Sequence, residues 1–214
     1  MNGRRVLFGL LLAAAFGVAA GLFKGDETGL RAGIGNLSAP WLLVALLPAV
    51  NCRTVPRGAL MGFTSTLVAL TGFYAALTAV LAGHLGGGGY FTEFLVEAQA
   101  NRLYFLGGFV TGPLLGAAGA WIGRSRPRSL WPVVGALVAG EILVVALVQG
   151  RQLLPPPLFF LWAVDDWTPY IGESAVGIAI VLVALWRTRS KAPPDSPTRA
   201  PVAQASPRQV SEAD

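Results

Sequence analysis

The sequence predicts an all-α fold, a polytopic bundle of about six membrane-spanning helices followed by a disordered tail. Three observations carry this expectation. Hydrophobic residues make up 54% of the 214 residues and charged residues only 13%, against about 25% charged in a soluble domain. A soluble core of this size could not absorb so much apolar surface, because small domains leave much of their surface wet. The apolar residues come in long blocks rather than alternating with polar ones, which favours spanning helices over the strands of a β-barrel. The arginines sit at the ends of those blocks, where a topology signal belongs. The bundle is expected over residues 1–190 and the tail over 191–214.

Span one is predicted over Val6–Phe23, after the positive start Met1-Asn2-Gly3-Arg4-Arg5. A cleaved signal peptide is the alternative, with Val18-Ala19-Ala20 as the cleavage site, although the apolar run is longer than a usual signal core. Lys24–Leu37 reads as a polar, Gly-rich loop. Span two, Ser38–Val55, opens with Pro40-Trp41 and contains Pro48. Its clean apolar part is short, so Asn51–Val55 is counted in, with Arg53 snorkelling to the surface. Span three is Gly58–Ala82, long enough to cross with some tilt. Gly83–Arg102 holds the run Gly86–Gly89 and then a short interfacial helix with Glu93 and Glu97 on one face. Span four is Leu103–Gly123, span five Leu130–Gln149 and span six Tyr170–Trp186. Gly150–Pro169, with Pro155-Pro156-Pro157, is too short in its apolar part to span and reads as an interfacial or re-entrant segment. Beyond Lys191 the chain has no apolar period, which is a disorder signature.

Orientation follows from counting. Arg4, Arg5, Arg53, Arg57, Arg124, Arg126, Arg128, Arg187, Arg189 and Lys191 fall on one side, and Lys24, Arg31, Arg102 and Arg151 on the other. The more basic set belongs in the cytoplasm. Both termini are then cytoplasmic in a multi-pass protein, and the Arg, Ala, Gly and Pro bias with almost no Lys suggests a high-GC bacterial genome, hence an inner (plasma) membrane. Trp121, Trp131 and Trp186 mark the inner boundary, and Trp41, Tyr104, Trp167 and Tyr170 the outer one. Arginine outnumbers lysine fourteen to two. The positive balance reads as topology, so no nucleic acid is expected as a partner. The lipid bilayer is.

The turns Arg53-Thr54-Val55-Pro56-Arg57 and Arg124-Ser125-Arg126-Pro127-Arg128 share the pattern Arg-x-x-Pro-Arg. Internal repeats are common in transporters. Equally, any short cytoplasmic turn needs a breaker and positive charge, and two such turns will look alike.

Glu141 is the most informative residue, because a carboxylate in the middle of span five is expensive and should face the bundle interior or a wet cavity. Two readings stand. It serves a proton-coupled carrier or a cation site, or it is a hydrogen-bonded carboxyl that only locks helices together. Thr64, Thr66, Thr71 and Tyr74 of span three are its expected partners. Glu173 lies near the outer end of span six. The outer loop supplies Trp162, Asp165, Asp166 and Trp167, with Arg102 and Arg151 on the same side as pairing partners for the acids or for Glu141. Glu93, Glu97, Asp165 and Asp166 read either as a cation-gathering face or as a solvated acidic one. Small residues at steps of four, Gly9, Ala13, Gly17 and Gly21 in span one and Gly108, Gly112, Gly116 and Ala120 in span four, let backbones approach closely. They serve either a membrane partner or self-association, or internal packing. The lone His84 and the absence of nucleophile-elbow and P-loop patterns argue against an enzyme, a metal site or a cofactor. Cys52, the only cysteine, allows no intrachain disulfide.

The stretch Asn36-Leu37-Ser38-Ala39-Pro40-Trp41-Leu42-Leu43, the Arg- and Pro-bearing turn, Gly58-Ala59-Leu60-Met61-Gly62 and Gly72-Phe73-Tyr74 resemble an uncharacterised family of six-span actinobacterial membrane proteins, known only as a domain of unknown function. That resemblance implies six spans and a bacterial inner membrane, and no activity. Size and span number are also similar to the substrate-binding subunits of energy-coupling-factor vitamin transporters, whose docking helix the ridge of span one would suit. The functional expectation is a small transporter-like or substrate-binding subunit, with a site between spans three, five and six around Glu141, capped by Leu158–Trp167. The alternative is a non-transporting scaffold or partner-docking subunit. An intramembrane enzyme is a third reading.

Overall fold

The computed structural model describes residues 3–24, 30–35, 37–82, 89–151 and 166–189. His84, Trp162, Asp165, the side chain of Arg151 and the tail from 191 lie outside the described residues. The elements are α1 (Gly3–Lys24), α2 (Leu30–Gly35), α3 (Ala39–Ala49), α4 (Val55–Ala82), α5 (Tyr90–Ala100), α6 (Arg102–Ser125), a 3-10 turn (Pro127–Ser129), α7 (Leu130–Arg151) and α8 (Thr168–Arg189). No strand occurs among the described residues. Five helices, α1, α4, α6, α7 and α8, are long and apolar enough to cross a membrane. They match spans one, three, four, five and six.

Span two is the correction. Its helix is α3, with 11 residues, about 16 Å long against a hydrocarbon core of roughly 30 Å. Pro40 sits in its first turn, where a missing N–H costs nothing. Its last turn tightens, with Val50 N–H donating to Leu47 O at 3.3 Å and Cys52 N–H to Ala49 O at 2.8 Å. The counted-in Asn51–Thr54 is therefore turn rather than helix. Upstream, part of the expected polar loop is the short helix α2, whose Gly33 faces the Pro169 ring. Helical structure resumes at α3 after a break around Leu37 and Ser38.

Backbone-to-backbone contacts at glycines set the helix pairs. A Cβ on Gly9 would meet the Met61 side chain, one on Gly17 the Ala69 carbonyl and one on Gly21 the Phe73 carbonyl, so α1 and α4 run parallel in constant register. A Cβ on Gly116 would fall 2.8 Å from Gly62 Cα, and one on Gly108 would fall 3.0 Å from Thr66 Cγ2, so α6 runs antiparallel to α4. Gly119 and Gly123 of α6 approach the carbonyls of Leu46 and Val50, which sets α3 parallel to α6. A Cβ on Gly135 of α7 would fall 2.7 Å from the Gly177 carbonyl oxygen of α8. Gly9, Ala13, Gly17, Gly21, Gly108, Gly112, Gly116 and Ala120 are all buried. Both small-residue ridges thus serve internal packing against α4, where dispersion and close approach replace the hydrophobic effect that lipid removes.

These registers place Arg4, Arg5, Arg53, Arg57, Arg124, Arg126 and Arg128 at one end of the bundle. Trp121, Trp131 and Trp186 are exposed near that end. Trp41 departs from its expected boundary position. It packs edge-on between Phe16 (5.1 Å) and Phe73 (5.4 Å), tying α3 to α1 and α4.

Candidate functional site

The break before α3 creates a chemical demand. The first N–H groups of any helix lack intrahelical acceptors and carry the positive end of its dipole. Ser38 precedes Ala39-Pro40, yet its own side chain does not cap the helix. The acceptor comes from α7. The carboxylate of Glu141 takes the Ser38 N–H on Oε1 at 2.6 Å and the Ala39 N–H on Oε2 at 2.5 Å. Glu141 is 7% exposed and lies about halfway along the 22 residues of α7. A buried charge survives when it is paired or hydrogen-bonded, and here both oxygens are.

The α7–α8 hairpin brings a second carboxyl to the same level. Ser174 Oγ donates to the Ala139 carbonyl at 3.3 Å, just before Glu141 in the chain. The carboxyl of Glu173 is thereby brought close enough to that of Glu141 for the two to interact electrostatically. Glu173 Oε2 is buried and has no hydrogen-bond partner among the described residues. The buried Tyr170 phenol also feels both carboxyls. The arrangement can hold a proton between two oxygens, or present a buried acceptor to a cationic or hydrogen-bond-donating group.

No family model, no curated protein and no solved structure matches this chain. The reading of the site therefore rests on its geometry.

Of the residues expected at the site, Glu141 and Glu173 come together. Tyr74 sits in a separate cluster on α4, 2% exposed, stacked on Phe105 at 5.2 Å and edge-on to Phe73 at 5.1 Å. Its titratable neighbours are Tyr104 and Glu97. The hydroxyls of Thr64 and Thr66 donate to the carbonyls of Leu60 (2.8 Å) and Gly62 (2.9 Å) within α4. α7 packs chiefly on α8, with smaller contacts to α3 and α6. The partners of Glu141 are thus the start of α3 and α8 rather than span three. Arg102 opens α6 and is exposed.

In the outer loop, Asp166 Oδ1 accepts the Thr168 N–H at 2.9 Å, at the start of α8. That bond holds its carboxyl below its ordinary value of 3.8. Trp167 leans on Tyr170 at 6.0 Å. Glu93 and Glu97 ride on α5, which buries none of its residues. Among the described residues, no three His, Cys, Asp or Glu side chains gather as a metal site would need.

Sequence reasoning missed Ser38, Ala39, Tyr170 and Ser174. Ser38-Ala39-Pro40 did carry a helix-start signature, but nothing local announces that the cap is a carboxylate from another helix.

Proposed function

We propose that this chain is a small transporter-like or substrate-binding membrane subunit, with its polar site at the break before α3. The observation that carries this is the two-oxygen capping of the half-helix α3 by Glu141, with Glu173 beside it and its Oε2 unpartnered. Discontinuous helices are where secondary carriers build their ion and substrate sites. Irregular backbone at membrane depth is tolerated only inside protein or beside a water-filled cavity. On this reading Glu141 holds the half-helix, and Glu173 is the carboxyl that exchanges a proton or meets a cationic ligand. The chain would sit in a bacterial inner membrane as a multi-pass protein with cytoplasmic termini, and would not act as an enzyme.

An uptake screen tests the reading. Membrane vesicles containing the chain would be offered a panel of small polar and cationic solutes, with equally abundant, folded Glu173→Gln vesicles as the control. At least one solute should accumulate with the native chain and not with the variant. If no solute separates the two, the carrier reading fails.

The scaffold reading draws on a different fact. Both Glu141 oxygens are satisfied by backbone N–H groups, which is all that a structural lock requires. The similarity to energy-coupling-factor subunits would put a docking face on the ridge of α1, and that ridge packs against α4 in this structure.

A further inference from the structure

The repeated Arg-x-x-Pro-Arg pattern has no part in the carboxyl site, yet the fold joins its two copies. The turn after α3 carries Arg53 and Arg57, and the turn after α6 carries Arg124, Arg126 and Arg128. Parallel packing of α3 and α6 brings the ends of both helices together, with Gly123 against the Val50 carbonyl. Arg124 Nη1 then donates to the Arg53 carbonyl at 3.3 Å. Five exposed arginines therefore lie in two adjoining turns at one end of the bundle. The acidic residues among the described ones, Glu93, Glu97, Glu141, Asp166 and Glu173, lie on α5, midway along α7 and at the start of α8. None is in either turn. Like charges gathered this closely repel, and an anion of matching charge removes the repulsion.

The neighbours of the surface favour a lipid over a dissolved anion. Trp121, 51% exposed, lies at the end of α6 with the Arg126 guanidinium 6.0 Å from its ring. Trp131, 54% exposed, lies at the start of α7 just past the same turn. Amphipathic rings at this level belong beside lipid headgroups, and basic pockets between helices at the cytoplasmic face take anionic ones. Guanidinium forks suit phosphate geometry.

We propose that the two Arg-x-x-Pro-Arg turns form one binding site for an anionic lipid whose headgroup carries two phosphodiesters, one for each turn. Cardiolipin has that chemistry, phosphatidylglycerol has half of it and phosphatidylcholine has no net charge.

Native mass spectrometry and thermal melting of the detergent-purified full chain, titrated with each of these three lipids and with inorganic pyrophosphate, test the site. Cardiolipin should be retained best and raise the melting temperature most, with phosphatidylglycerol weaker and phosphatidylcholine without effect. Arg57→Gln with Arg126→Gln spares the Arg124–Arg53 bond. It should weaken cardiolipin about thirtyfold, as expected for two basic residues near a charged surface. Arg102→Gln, at the opposite end, should change nothing. Equal retention of the three lipids overturns the proposal, and this comparison needs no variant to fold. Undiminished binding in the double variant overturns it too, as does an equal loss in Arg102→Gln. Pyrophosphate stabilising the chain as much as cardiolipin would overturn the lipid as occupant.

Discussion

Glu141 accepts the backbone N–H of Ala39 across 102 positions of sequence. A single carboxylate on α7 thereby stands in for the acceptor that α3 cannot supply itself, and it ties the α7–α8 hairpin to the rest of the bundle. Its value depends on both oxygens being acceptors.

Glu141→Gln tests that dependence. The amide keeps the shape but turns one acceptor into a donor, facing an N–H it cannot receive. Losing a hydrogen bond to a charged group, with a buried donor left over, should cost about 2–3 kcal/mol. Reversible unfolding in detergent would measure the loss, with amide exchange at Ser38 and Ala39 accelerating. A variant as stable as the native chain would show that the cap contributes nothing.

The helix pairs make a contrasting pair of predictions. Gly116→Ala pushes a methyl against Gly62 Cα at 2.8 Å, where only backbone lies opposite, and should destabilise by about 1–3 kcal/mol. Gly107→Ala, on the same helix α6, meets nothing within 4 Å. It should be neutral or stabilise by up to about 1 kcal/mol through helix propensity. Melting temperatures that move in the same direction by the same amount would refute the packing argument.

Much of this was legible before any coordinates. Lipid demands long apolar helices, so α1, α4, α6, α7 and α8 stand out as blocks, with ends within a few residues of those expected. Glu141 was conspicuous for the same reason, because a carboxylate in such a block has no cheap explanation. The break at Leu37 and Ser38 falls where the polar loop was expected to end, but the early end of α3 and its remote cap were not legible. Apolar counting cannot tell helix from turn at Asn51–Thr54, and it cannot show that the acceptor for Ser38 and Ala39 comes from α7. The pairing of Glu141 with Glu173 needed the register of α7 on α8, set by Gly135 and Gly177, which no local pattern announces.

Ser65 offers a test of the opposite sign. Its Oγ is fully buried on α4 without a hydrogen-bond partner among the described residues. Removing a buried hydroxyl that has no partner relieves a desolvation cost. Ser65→Ala should therefore be neutral or stabilising by about 1 kcal/mol in the same unfolding assay. A clear loss of stability would refute the reading of this hydroxyl as a net desolvation cost.

α5 is pinned to α4 by Tyr90, whose phenol donates to the Ala75 carbonyl at 2.6 Å. Because α5 buries no residue of its own, this bond should matter locally. Tyr90→Phe should raise amide exchange across Tyr90–Ala100 several-fold, in line with a loss of about 1 kcal/mol, and leave the long helices untouched. Unchanged exchange in α5 would remove Tyr90 as its anchor.

Asp166 predicts a pH dependence with a definite sign. The Thr168 N–H stabilises its carboxylate, so its folded value lies below 3.8. The bond is therefore fully present above that ordinary value and is lost as pH falls through the lower folded one. Amide exchange in the first turn of α8 should quicken under those acidic conditions. In Asp166→Asn that acid-dependent step should disappear.

The remote capping of α3 also has a consequence for biogenesis. Synthesis starts at the N-terminus, so α3 is made with its acceptor still about a hundred residues away in the unread message. A helix of 11 residues with bare N–H groups cannot rest alone in hydrocarbon. The insertion machinery must keep that segment near water or protein until α7 emerges, and only then can it settle. A ribosome stalled before Glu141 would hold a chain in which α1 and α4 are already made while the short α3 still lacks its cap.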